Sequence, residues 1–338
     1  MILTSDLLEN LTSERLDLLA ELDAAGLFAE PGETFELYYE RLKRLRDSFS
    51  EIDEQLNSET GFVPFEDLSF VRDDLISDEV LAEATEITHD LYAFRINWVP
   101  GFFLSTNLGM LWGGCAISVP EEDFSLFLIR KSFRSRKKWF IYRRDELMSH
   151  ELCHIARAPL HDYRFEEHFA YQTSFSRLRR YMGNCFIYKF DAIFFIMPVM
   201  LLLFTQIMIT LNVFNIPIWP FWFGAGSYPL WLFIRNQLSR NIVHRATRKL
   251  AGICAHAEAV LFRSTAAEID EFAQATDDDE LRKLWSDNCE QELRWKIIDY
   301  RFNPDNVKLA SEFEELEALE ELPLLANSES ANSDISEL

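Results

Sequence analysis

Arg143–Ser174 reads RRDELMSHELCHIARAPLHDYRFEEHFAYQTS, and the segment His150-Glu151-Leu152-Cys153-His154 within it decides the fold. Residues four apart share one face of a helix, so both imidazoles can point at one ion while Glu151 flanks the same place. Other features predict the helix independently. Asp145 and Glu146 suit a helix N-terminus, Met148, Leu152 and Ile155 form an apolar stripe behind the histidines, and Pro159 marks the far end. Four of the seven histidines of the 338-residue chain fall between His150 and His168.

A catalytic zinc takes three protein ligands and leaves its fourth position to water. The pattern H-E-x-x-H-x-x-G-x-x-H would require Gly at 157 and His at 160, where this chain has Arg157 and Leu160. The third donor must come from further on. RFEEHFAYQTS predicts a second helix soon after Pro159, with Glu166, Glu167 and His168 as the candidates.

The segment resembles the gluzincin metallopeptidases, in which two histidines of one helix and a glutamate of the next hold zinc. Glu167-His168-Phe169-Ala170 matches the E-x-x-A portion of the membrane-associated gluzincin signature, which favours Glu167 over Glu166. The family's next residue is an Asp that orients a zinc histidine. Here it is Tyr171, so that orientation must be supplied differently. The resemblance covers about thirty residues. It implies a Zn²⁺ site of His150, His154 and Glu167, with Glu151 as the catalytic base of peptide hydrolysis. It leaves open the donor that would stabilise the oxyanion, for which Tyr163, Tyr171 and His256 are candidates. The alternative is a non-catalytic membrane adaptor with a structural zinc site.

Charge is unevenly spread. Residues 1–92 carry 6 basic against 24 acidic groups, residues 311–338 none against 9, and residues 93–310 carry 27 against 23. An acidic chain with a mildly basic centre argues against nucleic acid, which requires a contiguous basic face. The five cysteines are dispersed, without a C-x-x-C, so no disulfide framework is expected. No basic start followed by an apolar core opens the chain, so no signal peptide is predicted.

The expected fold is α+β and mainly helical: a zincin-like core with a small sheet, plus a two-helix transmembrane hairpin. Residues 1–92 form an acidic N-terminal helical region, with helical spacing over 4–25, 34–57 and 78–92. It reads as a solvated bundle, with a docking module or a regulatory lid as other roles. Residues 93–184 form the core. Short strands are expected at Phe94–Trp98, Gly109–Val119, Phe124–Ile129 and Lys138–Tyr142. Leu108–Val119, with its Gly113-Gly114 pair, is the candidate edge strand for pairing with an extended peptide.

Residues 185–235 form the hairpin. Ala192–Leu211 is charge-free and long enough to cross a bilayer, and Ile216–Ile234 follows, interrupted by three prolines. Basic residues flank both ends: Arg177, Arg179, Arg180 and Lys189 before, Arg235, Arg240, Arg245, Arg248 and Lys249 after. They predict an integral membrane protein with both termini and the site cytoplasmic. Arg143, Arg144, Asp145, Glu146 and Arg157 around the motif place it beside the bilayer, since such charges are costly in hydrocarbon. Partners are therefore a peptide or protein substrate and lipid. Residues 236–310 form a C-terminal helical region with one long helix over Arg235–Thr276 and another over Asp279–Tyr300. A last short helix around Leu316–Leu325 precedes a disordered acidic tail within 311–338.

Overall fold

The computed structural model describes residues 3–65, 68–104, 112–119, 124–188, 190–213, 215–254 and 256–306. The expected last helix and acidic tail lie outside the described residues, as do residues 108–111 of the expected edge strand. Among the described residues the chain is mainly helical, with three small sheets and one helix long and apolar enough to cross a membrane.

The N-terminal spacing yields three helices: α1 (Ser5–Asn10), α2 (Leu16–Ala24) and α3 (Phe35–Leu56). The spacing predicts one continuous element over 4–25, but Ser13 and Glu14 turn the chain between α1 and α2. A hairpin of β1 (Phe62–Phe65) and β2 (Leu68–Phe70) follows, then α4 (Asp78–Tyr92). The expected strand Phe94–Trp98 is irregular. Its apolar side chains are buried all the same: Phe94 stacks on Phe262, and Trp98 Nε1 donates to the Ala25 carbonyl at 2.7 Å.

The central sheet is built from β3 (Gly101–Leu104), β4 (Gly114–Val119) and β5 (Phe124–Arg130) in the order β3-β5-β4. β5 pairs parallel with β3 and antiparallel with β4, which leaves β4 at an edge. Gly101 is needed for the first pairing, because a Cβ there would stand 2.3 Å from the Phe127 ring. A tight pair of two-residue strands, β6 (Lys138–Trp139) and β7 (Tyr142–Arg143), replaces the expected single strand.

The motif helix α5 (Arg144–Arg157) buries Met148, Leu152, Cys153 and Ala156 in the main core. Ser149 Oγ ties it to α4 through the Ala84 carbonyl at 3.1 Å. After a 3-10 turn at Ala158–Leu160 come α6 (Glu166–Gln172) and α7 (Arg177–Met182). Glu146 of α5 accepts from Ser174 at 2.5 Å and from Arg179 at 2.6 Å, which binds the return path to the motif helix.

The apolar helix α8 (Asp191–Thr210) keeps most of its side chains exposed, among them Ile193, Phe194, Met197 and Leu201. The second apolar stretch does not form a helix of its own. It is the first half of the 32-residue helix α9 (Trp219–Leu250). Helix starts only at Trp219, where Pro220 fits the first turn. The apolar part up to Ile234 is therefore about 24 Å long, short of a 30 Å hydrocarbon core. α8 and α9 pack antiparallel around buried Asp191, which accepts from Tyr228 Oη at 2.7 Å and Arg235 Nη2 at 2.5 Å.

The long helix expected over Arg235–Thr276 also stops early. It ends at Leu250, and α10 (Ala257–Phe262) and α11 (Ala266–Gln274) follow. Thr265 and Glu268 form a reciprocal capping box that starts α11. α12 (Asp278–Gln291) and α13 (Leu293–Phe302) replace the single helix over Asp279–Tyr300, divided at extended Glu292.

The ends of the described chain meet in one buried ion cluster. Asp23 of α2 accepts from Arg263 Nε at 2.8 Å and from Arg301 of α13, and Arg263 Nη1 also donates to the Tyr92 carbonyl at 2.7 Å. Removing one partner of such a pair leaves an uncompensated buried charge. Asp23→Ala should therefore lower stability by about 3–5 kcal/mol in urea titration. A loss under about 1 kcal/mol would show that the cluster does not join the termini energetically.

Candidate metal centre

The turn after α5 positions everything that follows. Arg157, fully buried, donates to the Phe262 carbonyl and holds Asp162 at 3.1 Å, while its guanidinium lies 4.7 Å from the Phe169 ring centre. Asp162 in turn accepts from the Arg164 amide at 2.9 Å. His161 adopts a positive φ of 50°, which lets the chain reverse in so few residues. α6 then begins directly beside the exposed face of α5, with Glu166 and Glu167 in its first turn.

Three donors converge there. Nε2 of His154 lies 3.1 Å from Nε2 of His150, and Glu167 places Oε2 3.7 Å from the His150 nitrogen and Oε1 3.7 Å from the His154 nitrogen. Four-coordinate zinc at its usual bond lengths sets neighbouring donors about 3.4 Å apart. The two imidazole nitrogens are within a few tenths of an ångström of that spacing, and Glu167 reaches each of them with a different oxygen. Two imidazoles and one carboxylate also match zinc in donor type.

The protons point to the same conclusion. His154 Nδ1 faces Glu166 Oε1 at 2.9 Å, and a carboxylate only accepts, so Nδ1 carries the hydrogen. The Ala170 backbone lies beside the His150 ring and favours a proton on it. The two Nε2 atoms face each other at 3.1 Å, a separation that either a hydrogen shared between them or a metal ion accommodates. Burial, with help from His154, holds the His150 imidazole down to about 3, so it stays neutral. Burial opposes charge on His154 too, but the Glu166 hydrogen bond and the carboxylates of Glu167, Glu166 and Glu151 outweigh it and raise its pKa. A metal would displace the His154 proton.

Glu151 stands beside the triangle, outside it. Its Oε2 accepts from the Ala116 amide of β4 at 2.7 Å. Burial raises its pKa despite the Ala116 hydrogen bond and His154, and burial likewise raises Glu167. The Ala116 bond also fixes the orientation of β4. In an antiparallel pair alternate residues turn their main-chain groups outward, so Ala116 and Gly114 present theirs to the site and not to β5.

The place of Tyr171 is structural as well. Its ring stands edge-on to His150 with centroids 4.6 Å apart. Orientation of the histidines thus falls to the Ala170 backbone for His150 and to Glu166 for His154. The paired acids at 166 and 167 were visible in the sequence, but their division of labour was not. Two concavities meet at the site, both lined by Gly114, His150, Glu151 and Glu167. One, of about 810 Å³, runs past Tyr163 and His161 to Glu30 and Trp98, and the other, of about 520 Å³, runs past Tyr142 to Met182 and Phe186. Tyr163 and Tyr171 therefore border the cleft. His244, His256 and Glu258 line neither arm, and His256 packs on Phe302 instead. His168 also points elsewhere, into a cavity against α9.

No protein-family model, curated protein or solved structure matches the chain.

Tyr171 reaches His150 because Gly183 makes room: a Cβ at 183 would lie 2.1 Å from Tyr171 Cγ. Gly183→Ala should cost about 1–3 kcal/mol by overpacking. Adding Tyr171→Ala should recover most of it in thermal denaturation. No recovery in the double variant would place the strain elsewhere.

Proposed function

We propose that the chain is a zinc-dependent metallopeptidase anchored in a membrane, hydrolysing peptide bonds at the cytoplasmic face. The observation that carries this reading is the convergence of His150, His154 and Glu167, with the carboxylate of Glu151 beside them, outside the group, on an open cleft. Zinc bound there would lower the pKa of its water and polarise a peptide carbonyl. Glu151 is placed to accept the water's proton and pass it to the leaving nitrogen. Its raised pKa suits that exchange, and the Ala116 hydrogen bond occupies only one of its oxygens. The outward main-chain groups of Gly114 and Ala116 would hold an extended peptide as an added strand. Glu166 and the Ala170 backbone orient the imidazoles, with α6 as their common support.

The adaptor reading draws on Tyr171, which replaces the carboxylate the resemblance would place there. The open cleft favours catalysis over it, since structural zinc sites are closed by four protein ligands. Peptide turnover separates the two.

The membrane reading rests on α8, a 20-residue helix with an apolar exposed surface, about 30 Å long. The apolar half of α9 would return beside it as the second, shorter member of a hairpin. Asp191, neutralised by Arg235 and bonded to Tyr228, would sit where the pair leaves the hydrocarbon. Basic residues on both flanks then set both termini in the cytoplasm.

Purified protein should carry about one zinc per chain, and His150→Ala, His154→Ala and Glu167→Ala should each abolish it. Glu166→Ala should retain zinc at about 10–100-fold weaker affinity. If Glu166→Ala abolishes zinc and Glu167→Ala spares it, the two carboxylates have been assigned the wrong way round. Glu151→Gln should keep zinc and lose peptide hydrolysis by about 10²–10⁴-fold. Equal turnover by wild type and this variant removes Glu151 from the chemistry.

Topology is tested by cysteine labelling of intact cells on a cysteine-free background. Residues 212–216 should react from outside and positions near 60 and 270 should not. Labelling at 270 with protection at 60 would mean that a single helix crosses.

A further inference from the structure

We propose that the protein meets the bilayer at a place besides the α8–α9 hairpin. The turn between β6 and β7 and one face of α7 seat at the lipid headgroup boundary, so that the narrow arm of the cleft opens toward the membrane. The inference rests on the membrane reading of α8 and not on the peptidase reading. Its residues are Phe140 and Ile141 of the turn, Phe175, Leu178 and Met182 on and just before α7, and Phe186 after it.

The turn is the first observation. Phe140 and Ile141 are its two residues, 54% and 49% exposed, and neither belongs to a hydrophobic core. Phe140 holds a positive φ of 50°. A two-residue hairpin turn normally takes glycine or asparagine at such a position, because bulkier side chains are strained there. Here the strained, exposed tip carries an aromatic ring. The apolar surface continues from it. Ile141, Met182 and Phe186 line the narrow arm together. Arg179 Nη2 donates to the Ile141 carbonyl at 2.8 Å, which fixes α7 beside the turn. Leu178, 70% exposed, lies one helical turn before Met182 on the same face. Phe175 is exposed beside the Arg143 guanidinium, which stands 4.1 Å from its ring centre. Scattered exposed apolar side chains are ordinary, but a contiguous patch marks an interaction surface.

Two features say what covers the patch. It runs directly into α8: the Phe186 ring meets that of Phe195 edge-on, with centroids 5.7 Å apart, and Phe195 lies one turn inside α8. The patch therefore stands level with the first turn of α8, the depth at which that helix would enter hydrocarbon. Cations surround it as well. Arg136, Lys138 and Arg177 are exposed, and none has an ion-pair partner among the described residues. The nearby acids are occupied: Glu83 by Lys137 and Arg144, Asp145 by Arg143, and Glu146 by Arg179. Apolar side chains flanked by cations match a bilayer surface, where the rings reach the acyl boundary and the cations meet lipid phosphates. A second copy seated on the same patch would bring like charges together instead.

The test places a nitroxide on single cysteines, Ser50→Cys, Phe140→Cys, Leu178→Cys or Met200→Cys, in the full-length protein with its native cysteines replaced by alanine. Each variant is reconstituted into vesicles of phosphatidylcholine and phosphatidylglycerol. Collisional broadening by oxygen, which concentrates in lipid, is compared with broadening by a nickel chelate, which stays in water. Position 200 on α8 is the lipid reference and position 50 on α3 the water reference. Positions 140 and 178 should gain oxygen broadening and lose nickel broadening, as position 200 does. Nickel broadening there equal to that at position 50, with position 200 in lipid, overturns the proposal and leaves the membrane reading of α8 standing. Loss of both broadenings at 140 and 178 would mean that protein covers the patch, which overturns it too. Position 200 open to nickel removes the membrane reading and the proposal with it. Phe140 and Leu178 are both exposed, so either position decides if the other variant does not fold.

Discussion

Two imidazole nitrogens face each other 3.1 Å apart, a separation that needs either a hydrogen or a metal ion between them. Much of the surrounding structure maintains that opposition. Glu166 takes the Nδ1 proton of His154, the Ala170 backbone lies beside the His150 ring, and Glu167 brings a carboxylate oxygen to 3.7 Å from each facing nitrogen.

The opposition constrains α5 to serve two surfaces at once. Its core face carries Met148, Leu152, Cys153 and Ala156, packed without exposure. Its other face carries the donors and has to be met by both α6 and β4. Arg157 solves the first problem by clamping the turn through Asp162 and the Phe262 carbonyl, which commits a fully buried guanidinium to the path of six residues. The Ala116 amide solves the second by bonding Glu151, so that the unpaired edge of β4 lies along the cleft. Glu30 and Trp98 form the far wall of the wider arm, which brings residues of the acidic N-terminal region to the cleft itself.

What could be read from the chain alone follows the range of the interactions involved. The motif helix was legible because its donors and its apolar stripe both repeat at helical spacing. The helix Asp191–Thr210 was legible from its near-absence of charge. Pairing of β3 with β5 was not, since parallel neighbours are set by contacts distant in sequence, and Pro100-Gly101 looks like a break when in fact Gly101 opens the strand. The run Arg235–Thr276 misleads for a different reason. Helical periodicity resumes after Cys254, so the gap is invisible to period counting, although the Thr265–Glu268 capping box marked a new start. At the site, residue types named the three donors, but they could not say that Glu166 would orient His154 or that Tyr171 would lie against His150. Those roles depend on how α6 is turned, and the turn is set by Arg157, through its contact with the distant Phe262 carbonyl, and by Gly183.

Whether these opposed donors hold one metal ion is tested most directly by X-ray absorption at the zinc edge on the purified full-length protein. The expected result is a low-coordinate inner shell of nitrogen and oxygen at about 2.0–2.1 Å, with outer-shell scattering from two imidazoles and none from sulfur. A shell containing sulfur at about 2.3 Å, or one without imidazole scattering, would contradict it.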